Sequence, residues 1–152
     1  MLLTSRLART KYGLLSMARH VRTNERLRME KNMLSIHIEN IGNMVVIECE
    51  GRIVRSEAAF ELRKAINLQS DARVIVLDLS EVPAIEGGGL GMLVFLQRWT
   101  HDRGIKLKLF NPRRSVRDSL ERVNSMRAFD IATLDEMMAL LVHNDDRLAR
   151  AA

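Results

Sequence analysis

Hydrophobic and polar residues alternate from Leu34 onward, with the period of two that is typical of β-strands. The apolar positions of two successive segments are Leu34, Ile36 and Ile38, and then Val45, Ile47 and Cys49. Between these segments lies Gly42-Asn43, a pair that favours a tight turn. The pattern therefore predicts a β-hairpin with one buried face, in which Cys49 points inward, and "RIV" (52–54) as a short further strand.

Apolar residues recur at helical spacing in four later segments. The pattern predicts a helix over 57–68 with Ser56 as its N-cap, and a second helix from the glycines at 87–89 to near Gly104. Capping patterns at Ser115/Asp118 and Thr133/Glu136 start two more helices. The predicted buried positions of the last three helices are Met92, Phe95, Leu96 and Trp99; Val116, Leu120 and Val123; and Met138, Leu141 and Val142.

Three strands are expected between these helices. The unbroken apolar run 74–77 predicts a central strand that is buried on both faces, whereas residues 105–109 alternate and predict one exposed face. "FDIA" (129–132) is the last short strand. Strands that alternate with helices imply crossover connections and a largely parallel sheet. We therefore expect one α/β domain, with a mixed sheet of four to five strands and about four helices.

Charge divides the chain into unequal parts. The net charge is +5 overall and +6 within residues 1–31, so the remainder is almost neutral. We interpret residues 1–31 as a poorly ordered basic extension or a start-site artefact, residues 33–144 as the domain, and residues 145–152 as a C-terminal tail. Basic segments attract anionic surfaces, so the extension is the part expected to touch membrane or nucleic acid. The single cysteine and the lack of a long apolar run predict a cytoplasmic protein.

Motifs that carry catalysis or cofactors are missing from the sequence. Gly87, Gly89 and Gly91 do not complete a dinucleotide fingerprint, because Met92 stands where the third glycine is required. Neither a P-loop nor a nucleophile elbow is present, and the four histidines lack the spacing of metal ligands. The domain also lacks an aromatic platform beside a basic run. We expect no enzyme, no metal, no cofactor and no direct nucleic-acid binding by the core.

The stretch "VIVLDLSEVPAIEGGGLGMLVFL" (74–96) resembles the central motif of STAS domains, the fold of bacterial anti-sigma factor antagonists. Those proteins show D-L-S-x-V at the end of a strand and then D-S-[S/T]-G-L-G opening a helix. Here residues 78–82 match the first part and residues 89–91 match the end of the second. Downstream, "KLKLFNP" followed by Val116, Leu120 and Met126 resembles the family's next strand, its N-P turn and its V-x-x-x-L helix.

The resemblance implies a partner-switching site in the loop before the second helix. In the family, a serine after the aspartate accepts phosphate from a kinase-like anti-sigma factor of the GHKL type. By position the aspartate corresponds to Glu86, the phosphoacceptor to Gly87 and the following hydroxyl residue to Gly88. Because Gly87 has no hydroxyl, the resemblance implies a protein that cannot be phosphorylated at the usual residue. The expected partner-binding residues are Glu86, Gly87, Gly88, Gly89 and Leu90.

The resulting expectation is a regulator of transcription that acts by protein–protein contact with a GHKL-type anti-sigma factor. Homo-oligomers of STAS domains are a further expected assembly. Two alternatives stay open. One is a STAS scaffold or transporter-associated module without a sigma-factor role. The other is a small enzyme or nucleotide binder that uses the glycine loop.

Overall fold

Five strands and four helices form the fold in the computed structural model, which describes residues 34–54, 56–123 and 129–151. The strands are β1 (Ser35–Ile41), β2 (Met44–Glu50), β3 (Val74–Glu81), β4 (Lys106–Phe110) and β5 (Ile131–Ala132). The helices are α1 (Ser56–Asn67), α2 (Gly88–Asp102), α3 (Arg114–Val123) and α4 (Leu134–Ala151). The expected α/β class, mixed sheet and helix number are confirmed.

The sheet has the order β1-β2-β3-β4-β5. Strands β1 and β2 pair antiparallel through the predicted turn at Gly42-Asn43, and every later pair is parallel. The "RIV" segment makes only one bridge, from Ile53 to Ile85, and not a strand. The basic segment 1–31 and Met126 lie outside the described residues, and the segment from 145 begins inside α4.

Helices cover the sheet on two sides. Apolar residues of α1, α2 and α3 pack on one face in a large core that includes Ile47, Leu77 and Leu93. A second core lies on the opposite face, where Met137 and Leu141 of α4 pack with Val46. Strand β2 is consequently buried from Met44 to Cys49 on both faces. The prediction of one buried face was wrong for β2, because strands β1 and β3 and helix α4 enclose it. The predicted inward position of Cys49 is confirmed.

The buried stripe of α2 differs from the predicted one. Its buried residues are Gly89, Met92, Leu93, Leu96 and Thr100. Phe95 is 39% exposed, so its assignment to the core was wrong, whereas Trp99 is half-buried and packs against the main core. The guanidinium of Arg63 lies 4.0 Å from the centre of the Phe95 ring, and that of Arg103 lies 4.2 Å from the Trp99 ring. The four-residue spacing of hydrophobic positions was right, but the stripe is rotated by about one residue.

The two later helices begin in different ways. At α4, Thr133 and Glu136 form the predicted capping box, with reciprocal hydrogen bonds of 3.1 and 3.0 Å between each side chain and the other's backbone N–H. Helix α3 begins one residue before Ser115, so the predicted Ser115 cap was wrong. Val116, Leu120 and Leu141 are buried as predicted, whereas Val123 and Val142 are exposed.

Candidate functional site

The loop that joins β3 to α2 is held by the backbone of the segment that follows β2. The N–H of Gly51 donates to Glu81 O at 3.0 Å, and the N–H of Ile53 donates to Ala84 O at 2.9 Å. In return, the N–H of Glu86 donates to the carbonyl of Ile53 at 3.3 Å. These bonds resume the parallel pairing of β2 with β3 after a register shift between Glu48 and Glu50. The loop is therefore an extension of the sheet and not a free connection.

Side chains of the β4–α3 connection and of the first turn of α3 fix the other side of the loop. Fully buried Asp78 accepts hydrogen bonds from the backbone N–H and the hydroxyl of Ser80, and Asn111 Nδ2 donates to Ser80 Oγ at 3.1 Å. Arg113 Nε donates to the carbonyl of Ser80 at 3.0 Å. Ser115 Oγ donates to the carbonyl of Pro83 at 3.0 Å. Asp78 therefore fixes the turn through local hydrogen bonds.

The three glycines at the start of α2 have three different environments. Gly87 is exposed and adopts φ +53° and ψ −120°, a conformation that residues with a β-carbon rarely adopt. Gly88 is exposed, and a β-carbon there would meet open space. Gly89 is buried, and a β-carbon there would overlap the carbonyl oxygen of Ile53. Close packing requires the third glycine, whereas backbone conformation requires the first.

The predicted partner-binding residues lie together but are not equally accessible. Glu86, Gly87 and Gly88 are exposed and consecutive, at the end of the loop and the start of α2. Leu90 is half-buried and packs against the main core, while Gly89 lies under the Ile53 carbonyl. The surface that a partner can reach is thus formed by the Glu86 carboxylate and by main chain that no side chain covers at 87 and 88.

Charge around the loop is mixed. Glu86 is the acidic residue next to the start of α2, whose first turn has no acidic side chain. On the other side of the loop, Arg113 Nη2 lies 3.5 Å from Glu81 Oε2. Among the described residues, no group of three or more His, Cys, Asp or Glu side chains is arranged to hold a metal ion. None of the described helices is long and apolar enough to cross a membrane.

One surface feature was missed from the sequence. Phe60 on α1 is 62% exposed, and Phe95 on α2 lies under the Arg63 guanidinium. The sequence pattern predicts a buried Phe95 and assigns no role to Phe60. A buried stripe that includes Gly89 and Leu93 fits the sequence of α2 as well, and it leaves Phe95 on the outer side of the helix. That alternative stripe is the sequence signal for an exposed Phe95.

A family model for the STAS domain matches residues 35–137. The chain belongs to the STAS domain family. The match contains both parts of the motif, residues 78–82 and 89–91, and every strand of the sheet. A search of curated proteins gave no match.

Solved structures of other proteins share the fold. The unphosphorylated anti-sigma factor antagonist SpoIIAA superposes with a TM-score of 0.60 and 18% identity, over 72% of this chain and 97% of that chain. An anti-sigma factor antagonist from Mycobacterium paratuberculosis gives a TM-score of 0.58 and 18% identity, over 72% and 95% of the two chains. SLC26A9 gives 0.55 and 14% identity, and the match covers 74% of this chain but 22% of that one.

Proposed function

We propose that this STAS domain is a non-catalytic regulator that binds a kinase-like anti-sigma factor of the GHKL type through residues 86–90. The observation that carries the proposal is the exposed surface of Glu86, Gly87 and Gly88, held in place by hydrogen bonds on both sides of the loop. A preformed loop loses little conformational entropy on binding, which favours a docking role. The fold of antagonists such as SpoIIAA supports the same role.

The glycine at 87 gives this regulator a single state. Phosphorylation in a partner-switching cycle needs a hydroxyl at the acceptor position, and glycine provides none. The adjacent Glu86 keeps one carboxylate, but that charge is permanent. We therefore propose that binding through this loop does not respond to the partner's kinase activity, and that the chain acts as a constitutive antagonist in the cytoplasm.

The test is direct binding of the purified full chain to each GHKL-type ATPase-domain protein encoded in the same genome, measured by calorimetry with ATP or ADP present. Gly88→Arg fills the open space at the loop and is expected to weaken binding at least about tenfold. The control Ala139→Arg places the same side chain at an exposed site on α4 and is expected to leave affinity within about twofold. Mass spectrometry after incubation with ATP is expected to find no phosphate on residues 86–90.

A transporter-associated STAS module is the second candidate, because the likeness in fold to SLC26A9 is compatible with that role. In that case no ATPase-domain protein binds, and the purified chain instead binds a permease encoded beside it. Binding of an ATPase-domain protein that is unchanged by Gly88→Arg contradicts the proposed site. Absence of binding to every such protein contradicts the anti-sigma role.

A further inference from the structure

Helices α1 and α2 together expose an unusual combination of side chains. Phe60, Val94 and Phe95 are 62%, 45% and 39% exposed, and they include both phenylalanines among the exposed large hydrophobic residues of the described chain. Arg63 and Arg98 are exposed on the same two helices. We call these five residues the two-helix face. The other exposed large apolar residues, Leu68, Val123, Leu134 and Val142, are scattered over a loop and two other helices.

The two-helix face repeats one pattern on each helix. Arg63 follows Phe60 by three residues, and Arg98 follows Phe95 by three and Val94 by four, so each arginine lies beside an apolar side chain on the helix surface. Packing of α1 against α2 joins the two pairs, because the Arg63 guanidinium lies 4.0 Å from the centre of the Phe95 ring. Aromatic residues and arginine are the types enriched at the centres of protein interfaces.

No close ion pair neutralises the two arginines of the face among the described residues. Within the described residues, neither Arg63 nor Arg98 forms an ion pair with a carboxylate, and the ion pairs found lie at Lys108–Asp130 and Arg113–Glu81. Two cations beside exposed apolar groups complement a surface that carries carboxylates around an apolar side chain. A basic or purely polar partner surface would leave the phenylalanines in water and oppose the guanidinium groups.

The face continues from the glycine loop along the same helix. Gly91 is exposed one turn before Val94 and Phe95, and it follows the accessible residues Gly87 and Gly88. A β-carbon at Gly91 would meet nothing within 4 Å, so position 91 places no side chain between the glycine loop and the two-helix face. One partner is therefore able to contact both.

We propose that the two-helix face extends the docking loop and binds an acidic, apolar segment of the partner protein. The proposal rests on the proposed function, because the partner is the one that docks at residues 86–90. Phe60, Val94 and Phe95 supply the apolar contact, and Arg63 and Arg98 bind carboxylates at its margin. The Arg63–Phe95 stack holds one guanidinium in place before the partner arrives, which lowers the entropy lost on binding.

The first test needs no cognate partner. The full ¹⁵N-labelled chain is titrated with a synthetic peptide, acetyl-EELFEE-amide, and separately with acetyl-KKLFKK-amide, and the amide shifts are followed by NMR. The acidic peptide is expected to shift amides of α1 and of the first three turns of α2, and the basic peptide is not. Residue-resolved shifts also separate this contact from attraction of the acidic peptide to the basic segment 1–31.

Charge reversal provides the matched comparison. The double variant Arg63→Glu/Arg98→Glu is expected to weaken binding of the acidic peptide at least about tenfold. The control Arg114→Glu/Arg117→Glu reverses two exposed arginines on α3 and is expected to change it less than about twofold. Shifts that map to α3 or α4, equal responses to both peptides, no response at millimolar peptide, or no effect of the Arg63/Arg98 reversal would each overturn the proposal.

The second test separates this proposal from the proposed function. The same double variants are measured against any GHKL-type ATPase-domain protein that binds the wild-type chain. If Gly88→Arg abolishes binding and the Arg63/Arg98 reversal does not, the docking loop stands and the two-helix face is wrong. If no ATPase-domain protein binds but the acidic peptide occupies α1 and α2, the anti-sigma role is wrong and the acidic partner chemistry stands.

Discussion

Gly89 lies directly against the carbonyl group of Ile53, and this contact sets the separation between helix α2 and the segment that follows β2. A β-carbon at position 89 would overlap the carbonyl oxygen and lie 3.0 Å from the carbonyl carbon. The same oxygen accepts the hydrogen bond from the N–H of Glu86. Main-chain atoms on both sides cannot move apart without breaking the bonds that hold the loop.

Replacement of Gly89 is therefore expected to be costly. Gly89→Ala should lower the free energy of unfolding by about 1–3 kcal/mol, because overpacking against backbone cannot be relieved by a side-chain rotation. The control Gly91→Ala lies in the same helix with open space around it and should raise stability by about 0.5–1 kcal/mol. Urea denaturation of both variants measures the difference, and equal stabilities would contradict the close approach to Ile53.

The conformation of Gly87 gives a separate prediction. Gly87→Ser introduces a hydroxyl at position 87 but places a β-carbon on a backbone with φ +53°. It should destabilise the fold by about 1–3 kcal/mol, or force the loop into another conformation. Gly88→Ser, with open space and no such backbone requirement, should lie within about 0.5 kcal/mol of the wild type. Thermal unfolding compares the two, and a Gly87→Ser variant as stable as Gly88→Ser would show that the loop conformation is not specific to glycine.

Asn111 is the one described residue other than glycine with positive φ, at +51°. Its amide also donates to Ser80 Oγ, which joins the β4–α3 connection to β3. Asn111→Ala loses the hydrogen bond and keeps the unfavourable backbone, so it should cost about 1–2 kcal/mol. Asn111→Gly loses the same bond but adopts this backbone freely, and it should cost less. The order of the two midpoints in urea is the measurement, and the reverse order would contradict this account.

The capping box at α4 predicts a smaller effect. Thr133→Ala removes the hydroxyl that accepts the hydrogen bond from the N–H of Glu136, and it should cost about 1 kcal/mol. Thr133→Ser keeps the oxygen and should retain most of the stability. Since α4 is the one described helix that packs on its face of the sheet, we expect the loss of its cap to lower the stability measured in global unfolding by circular dichroism. Equal losses for both variants would show that the hydroxyl does not act as a cap.

Sequence periodicity predicted the order of elements because each strand and helix has a strong local pattern. The capping box at Thr133 and Glu136 was predicted because both partners lie within four residues of each other. Burial of both faces of β2 was not predicted, because it depends on α4, which lies about 90 residues further along the chain. Local patterns therefore gave the elements, while tertiary packing decided which faces are buried.

The candidate loop was predicted from its motif, but the differences among its glycines were not. The sequence "GGG" gives no sign that one residue is fixed by backbone angle, one is free and one is packed under Ile53. The position of Phe95 was also outside local information, because Met92, Leu93 and Phe95 fit two overlapping helical stripes. Packing of Leu93 and Leu96 in the main core, which local sequence does not show, decides which side of α2 faces the sheet.

The order of the strands limits the kind of ligand that this architecture suits. Among the described strands, each parallel crossover advances by one neighbour in the same direction, so the progression never reverses. Open α/β sheets hold nucleotides and other small molecules in the crevice that forms where such a reversal occurs. Without that crevice, recognition is expected to take place on the outer surface, which suits another macromolecule better than a metabolite.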